Sequence, residues 1–215
     1  MRAIKDTFIL LNLVVYIIMG LHDYLMLKKK GFIEGHTQQI EEQVKDLALL
    51  VSDKNIKKVM EIGFNAGHSA EIFLRSNLEI DLVSFDIGNW EYMKFGKEYI
   101  DSNFYNRHML ILGDSNKSIP TFTKLNNIKF DLIFIDGGHE YSVAKNDLLN
   151  CRKLAHENTI VILDDTVISE PEKNPFWVRG PTFVWKELCK NGFIKELGTK
   201  EYAHGRGMSW GKYMF

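Results

Sequence analysis

VMEIGFNAGHSAEIFL, residues 59–74, decides the fold. It reads as the end of a strand, a tight turn and the start of a helix. The strand is KKVMEI, 57–62, a short apolar run with Glu61 near its end. Gly63 and Gly67 flank the turn, and glycine permits backbone angles and close ligand approach that other residues resist. HSAEIFLRSN, 68–77, reads as the helix. Such a unit builds a cleft above the strand's carboxyl end, where a nucleotide-like molecule can lie. In a dinucleotide site the helix N-terminus would receive a pyrophosphate. Here G-x-N-x-G replaces G-x-G-x-x-G, so the turn alone also admits a purely structural reading.

Outward from this unit the pattern repeats. IDLVSFD, 80–86, reads as a strand, followed by a helical or mixed segment at 90–101. HMLILGD, 108–114, is strand-like, and a short helix at 115–126 is limited by Pro120. FDLIFID, 130–136, is the fourth strand. A helix over 141–156 places Val143, Ala144, Leu148, Cys151 and Leu154 on one face. TIVILDD, 159–165, is the fifth strand; a proline-rich loop, 171–181, then leads to a helix at 182–191. The last 24 residues, 192–215, read as two strands joined by a glycine-rich turn. Upstream, HTQQIEEQVKDLALLVSD, 36–53, spaces Ile40, Val44, Leu47 and Val51 as one face of a helix. Continuous apolar strands alternating with helices predict an α/β domain. The expected fold is Rossmann-like: a mostly parallel seven-stranded sheet, helices on both faces and a C-terminal antiparallel hairpin.

The 215 residues suffice for one sizeable core. A formal net charge of −1 gives no whole-chain attraction for nucleic acid, and no nucleic-acid partner is expected. The two cysteines, Cys151 and Cys189, read as free thiols in helices and mildly favour a reducing compartment. The chain divides into an apolar N-terminal segment, 1–30, and a domain, 31–215, with a hinge at Gly31–Gly35. FILLNLVVYIIMGL, 8–21, is flanked by Arg2 and Lys5 before and by Lys28, Lys29 and Lys30 after. Fourteen helical residues cover roughly 21 Å, short of a bilayer core of about 30 Å. Extension to Leu27 gives the length but includes His22 and Asp23. Three readings stand: a membrane anchor or interfacial helix over 8–27, a helix packed on the domain or a partner, and a processed signal. The catalytic domain is accordingly expected in the cytoplasm, free or membrane-associated, and a homo-oligomer is compatible with the sequence.

The chemistry gathers at strand ends. Glu61, Asp86, Asp114, Asp136 and Asp164 all stand at carboxyl ends of predicted strands, the edge that holds the ligand crevice of an open α/β sheet. A carboxylate at Asp86 can accept from both hydroxyls of a ribose. Asp114 can accept from an adenine amino group or cap the helix after it.

EIGFNAG, SFDIG, GDS and FDLIFIDGGHEY together resemble the class I S-adenosylmethionine-dependent methyltransferases, over residues 36–215. The resemblance implies S-adenosylmethionine as cofactor. Its methionine part would lie at Glu61, Gly63 and Gly67, its ribose at Asp86 and its adenine near Asp114 and Ser115. A phosphate at the glycine turn is then not needed, and a sulfonium suits an acidic crevice.

A second cluster follows strands four and five. Asp136, Asp164 and Asp165 would repel one another unless a cation lay between them. Mg²⁺ takes oxygen ligands and keeps exchangeable waters, and the cluster lacks the cysteines and multiple histidines of a soft-metal site. His139, three residues past Asp136 and after a glycine pair, offers a base near neutral pH. DGGHEY with LDD resembles the metal-dependent sugar O-methyltransferases of macrolide biosynthesis. That resemblance places magnesium on Asp136, Asp164 and Asp165 and the base on His139, with Asp164 standing where the family often has glutamate. The catechol-type O-methyltransferases are a second likeness, with Asp165 in place of their asparagine and His139 in place of their lysine. Tyr141 and the stretch 171–185, with Phe176, Trp177 and Arg179, are candidate substrate cover; HGRGMSW, 204–210, either approaches the same edge or only joins two strands, and is not placed in the catalytic set. The expected activity is Mg²⁺-assisted O-methylation of a small-molecule or glycan hydroxyl. The alternatives are a metal-independent methyltransferase of the same fold and a non-catalytic, membrane-associated binding protein.

Overall fold

A computed structural model describes residues 19–28 and 33–215. The strands are β1 (Lys58–Ile62), β2 (Asp81–Asp86), β3 (His108–Leu112), β4 (Phe130–Ile135), β5 (Ala155–Asp164), β6 (Ile194–Glu201) and β7 (Gly207–Tyr213). They form one sheet in the order β3-β2-β1-β4-β5-β7-β6. β1 to β5 pair in parallel, and β7 runs antiparallel between β5 and β6. The predicted seven-stranded sheet and C-terminal hairpin are both present. The direction of strand progression reverses between β1 and β4, which is where open α/β sheets bind ligands.

Side chains alternate along each strand and enter two separate cores. Val59, Leu132, Phe134 and Ile162 face one side; Met60, Ile133, Ile135 and Val161 face the other. The first side is covered by helices α1 (Leu21–Lys28), α2 (Glu41–Val51), α3 (His68–Ser76) and α4 (Met93–Asn103). The second is covered by α5 (Ser115–Leu125), α6 (Tyr141–Cys151) and α7 (Arg179–Lys190). Burial on both faces explains why β1, β4 and β5 carry continuous apolar runs.

Several element bounds differ from expectation, each for a local reason. The helix expected over 36–53 begins as a 3₁₀ turn, Thr37–Gln39; Ile40 is extended (φ −118°, ψ 100°) before α2 starts. The helix expected over 115–126 is α5 itself; Pro120 inside it removes one main-chain bond, while buried Ile119 and Phe122 hold the helix to the core. α6 stops at Cys151, and β5 begins already at Ala155 with a register shift opposite Phe130 and Leu132. The Thr159 hydroxyl accepts from the His156 amide (2.7 Å) and donates to the Phe130 carbonyl (2.6 Å), closing that irregularity. α7 starts at Arg179, three residues early, because Pro181 falls in its first turn, where no amide donor is needed.

α1 packs on the domain. Leu21, Tyr24 and Leu25 are buried in the first core, and the Leu21 amide donates to buried Glu71 of α3 (3.2 Å). Glu71 also accepts from the Tyr99 hydroxyl (2.8 Å) and pairs with Arg75 (2.9 Å). Among the described residues no helix is long and apolar enough to cross a membrane. The apolar run over 8–18 and the first part of the expected Gly31–Gly35 hinge lie outside the described residues.

Candidate active site

The glycine turn is built by steric necessity. Gly63 has φ +96°, and a Cβ there would stand 1.9 Å from the carbonyl oxygen of Asp136. The turn after β1 therefore lies directly against the end of β4. Gly67 (φ +90°) precedes α3, where a Cβ would meet the Phe64 ring at 2.9 Å. Between them Asn65 is left-handed (φ 49°), and its side-chain oxygen accepts from the Tyr92 hydroxyl (2.7 Å). Tyr92 in turn accepts from the Glu34 amide (3.3 Å), which ties residues 33–36 to this turn.

The acids of this edge are engaged by the protein. Glu61 is fully buried; the Ser84 hydroxyl donates to one oxygen (2.5 Å) and the Ser69 hydroxyl to the other (2.8 Å). Burial pushes its carboxyl up to about 7 despite those bonds. Asp86 accepts from the Asn65 amide (2.8 Å) and from the Gly88 amide (2.8 Å), so it holds two turns together. Asp114 caps α5 by accepting from the Asn116 amide (3.0 Å). Ser115 opens α5 beside buried Asp147, whose carboxyl burial pushes up to about 6.

The edge of β4 and β5 is different. Ligating atoms of Asp136, His139 and Asp165 lie within 4.8 Å of one another. Asp165 is 5% exposed and left-handed (φ 54°) just past β5. Its Oδ2 accepts from His139 Nε2 (3.0 Å), while its Oδ1 has no hydrogen-bond partner among the described residues. Burial and the charge of Asp165 push Asp136 up to about 7. Burial alone would lower the His139 imidazole. The hydrogen bond and charge of Asp165, with Asp136 and Glu34, outweigh it and hold the ring above its ordinary value. Asp164 does not join the cluster of three: its Oδ1 accepts from Gln43 Nε2 (2.6 Å), and its Oδ2 is unpartnered among the described residues. Burial, then Asp136 and Asp165, push its carboxyl well above the usual carboxylate range.

Three groups near this edge escaped the sequence reading. Gln43 is fully buried and reaches Asp164 across the sheet edge. Its spacing from Ile40 and Leu47 puts it on the buried stripe of α2, and a polar residue there was the available signal. Arg206, in the glycine-rich turn before β7, brings positive charge to Asp136 and Asp164. Glu34 faces Asp136 and His139 from the segment before α2. No local pattern marks these last two, because the fold brings them in from opposite ends of the chain.

A protein family described as a methyltransferase domain matches residues 60–166, from β1 to just past the acidic pair. No curated protein matches the sequence. Among solved structures, an O-methyltransferase from Bacillus cereus in complex with SAH superposes with a TM-score of 0.71 at 17% identity, covering 94% of this chain and 96% of that one. The O-methyltransferase TomG from Streptomyces achromogenes, involved in tomaymycin synthesis and in complex with SAM, gives 0.66 at 18% identity, covering 81% and 80%. A TDP-rhamnose 3'-O-methyltransferase of calicheamicin biosynthesis gives 0.58 at 19% identity, covering 81% of each chain. Likeness at these identities establishes a shared fold.

Proposed function

We propose that this chain, whose residues 60–166 match a methyltransferase domain, is a class I S-adenosylmethionine-dependent methyltransferase that transfers the methyl group to a hydroxyl oxygen of a small molecule or glycan, assisted by Mg²⁺. One observation carries this reading. The glycine turn expected to hold the methyl donor abuts the Asp136–His139–Asp165 cluster through the Gly63–Asp136 contact. Donor and acceptor sites would then be neighbours, as group transfer requires.

The cofactor suits the β1–β2 edge. Exposed Ile87 follows Asp86 and exposed Leu112 pairs beside it on β3, apolar surface next to a carboxylate, which fits a nucleoside. A divalent cation suits the second edge: Asp165 Oδ1 is buried without a partner and Asp136 is strained by the neighbouring charge. Asp136 and Asp165 would hold it; Asp164, tied to Gln43 through Oδ1, keeps its Oδ2 without a partner among the described residues. A hard cation there supplies positive charge beside the acceptor oxygen.

The remaining work falls to the chain's own groups. Asp165 Oδ2 accepts a hydrogen bond from Nε2–H of His139, which leaves the Nδ1 lone pair for the acceptor. Bound S-adenosylmethionine would supply an electrophilic methyl group whose sulfonium sulfur leaves as a neutral thioether. The acceptor O–H would give its proton to Nδ1 of His139 as its oxygen gains the methyl group. Asp165 and Asp136 stabilise the imidazolium, and the half-exposed ring passes the proton to water. Gly180 packs on the His139 carbonyl, where a Cβ would stand at 2.1 Å; Phe176 and Trp177, a few residues upstream, would serve as substrate cover.

Calorimetry on folded full-length protein tests the proposal. S-adenosylmethionine binds, at least tenfold more weakly in Asp86→Ala, and Mg²⁺ binds in wild type but not in Asp165→Asn. No cofactor binding with or without Mg²⁺ would overturn the transferase reading. A metal-independent transferase is favoured by one feature, the Arg206 charge that already faces Asp136 and Asp164. Cofactor binding with no Mg²⁺ binding selects that reading.

A further inference from the structure

A second group of ligating side chains, three histidines, meets beside Arg206, whose charge also reaches His36. His22 comes from α1, His36 from the segment before α2, and His68 is the first residue of α3, immediately after Gly67. Ligating nitrogens of all three lie within 4.8 Å of one another. The His36 and His68 rings stack with centroids 3.6 Å apart and planes 8° from parallel; His22 stands 5.1 Å from His36 and 5.8 Å from His68. His68 is 2% exposed, and neither of its ring nitrogens has a hydrogen-bond partner among the described residues. Nδ1 of His36 is likewise without one.

Buried, unpartnered imidazole nitrogens cost free energy unless something else meets them. Burial pushes His68 down to about 3 and His36 down to about 4, so both rings are neutral and keep a lone pair. Neutral imidazoles converging from three separate segments form a donor set for a borderline transition metal. We propose that His22, His36 and His68 bind one Zn²⁺-class ion that clasps α1 to the start of α3. This donor set is all nitrogen, so it discriminates against Mg²⁺, whereas the oxygens of Asp136 and Asp165 favour it. His22 is exposed, so a coordination position remains open to water. Binding tilts the stacked rings apart, because lone pairs in nearly parallel planes must turn toward a common point.

The clasp joins α1 to the residue that follows the glycine turn. The Leu21–Glu71 bond and the Gln38–Glu71 bond (2.8 Å) already hold the same three segments together. A metal ion at the histidines would lock that junction.

The test uses untagged full-length protein in saturating Mg²⁺, titrated with Co²⁺ followed by ligand-field absorption and with Zn²⁺ by calorimetry. One equivalent binds to wild type and to Asp165→Asn. Affinity falls at least tenfold in His22→Ala, whose exposed site makes folding safe, and in His36→Ala, with circular dichroism checking the fold of each. The proposal is overturned if folded wild type binds no equivalent, or if both histidine variants bind as wild type does. It is equally overturned if binding is lost in Asp165→Asn instead.

Discussion

The two halves of the ligand edge carry the same kind of residue in opposite states. At β1 and β2, both oxygens of Glu61 and both of Asp86 accept hydrogen bonds from the protein. At β4 and β5, Asp165 Oδ1 and Asp164 Oδ2 have no partner among the described residues. Acids of the first kind hold turns in shape and thereby position a ligand. Acids of the second kind hold charge close together, and a cation or a proton is needed to relieve it. Position at a strand end does not separate the two roles; hydrogen-bond satisfaction does.

The halves touch at Gly63, and the largest expected effect lies there. In Gly63→Ala the new Cβ would overlap the Asp136 carbonyl at 1.9 Å, and φ is +96°. The turn or the end of β4 must move. The expected cost is about 4 kcal/mol or more, the class of overpacking joined to backbone strain. Gly192→Ala is the control: its φ is +69°, but nothing lies within 4 Å of the added carbon. It should cost about 1 kcal/mol, the backbone part alone. Urea denaturation of both compares them; equal losses would show that close approach contributes nothing at Gly63.

Glu61 tests whether satisfaction is enough. Its two hydroxyl partners do not cancel burial, which pushes its carboxyl from 4.5 to about 7. The folded protein then keeps a proton that the unfolded chain has lost, so this part of the stability is full below pH 4.5 and is lost as pH rises toward 7. The change amounts to about 3 kcal/mol. Glu61→Gln removes it, because an amide can accept from one serine and donate to the other. Relative to wild type, the variant should gain that amount between pH 4 and pH 8 in urea unfolding. Parallel pH curves for the two proteins would mean that Glu61 is charged in the fold.

Much of this was legible in sequence. Short continuous apolar runs between helical spacings marked the sheet, and glycine spacing marked the turn. The acids at strand ends gave the edge and, through Asp136, His139 and Asp165, the convergent cluster. What escaped depends on tertiary approach. Asp164 points to Gln43 rather than to Asp136, and a strand pattern does not encode which way a terminal carboxylate turns past the last ladder bond. Arg206 and Glu34 reach the cluster from segments about 170 residues apart, beyond any spacing rule.

Asp86→Asn should move stability and cofactor binding together. An asparagine offers one acceptor oxygen where two amides now donate, leaving either Asn65 or Gly88 unmet. A loss of roughly 2 kcal/mol is expected. S-adenosylmethionine affinity should fall with it, since the same carboxylate holds the turn and stands next to the exposed apolar surface of Ile87 and Leu112. Thermal unfolding and calorimetry on one preparation check both; a drop in affinity at unchanged stability would mean that the two amides do not depend on the carboxylate.

Asp165→Asn should move them apart. Asparagine tolerates the left-handed backbone at this position as well as aspartate does, and its oxygen can still accept from His139. Only the charge is removed. Without divalent cation the variant should be more stable by roughly 1 kcal/mol, because Asp136 and Asp164 lose a repelling neighbour. Cofactor affinity should stay within about twofold, and the rise in melting temperature that Mg²⁺ gives wild type should vanish. If Mg²⁺ stabilises both proteins equally, the unpartnered oxygen of Asp165 is not held for a cation, and the contrast between the two edges loses its functional meaning.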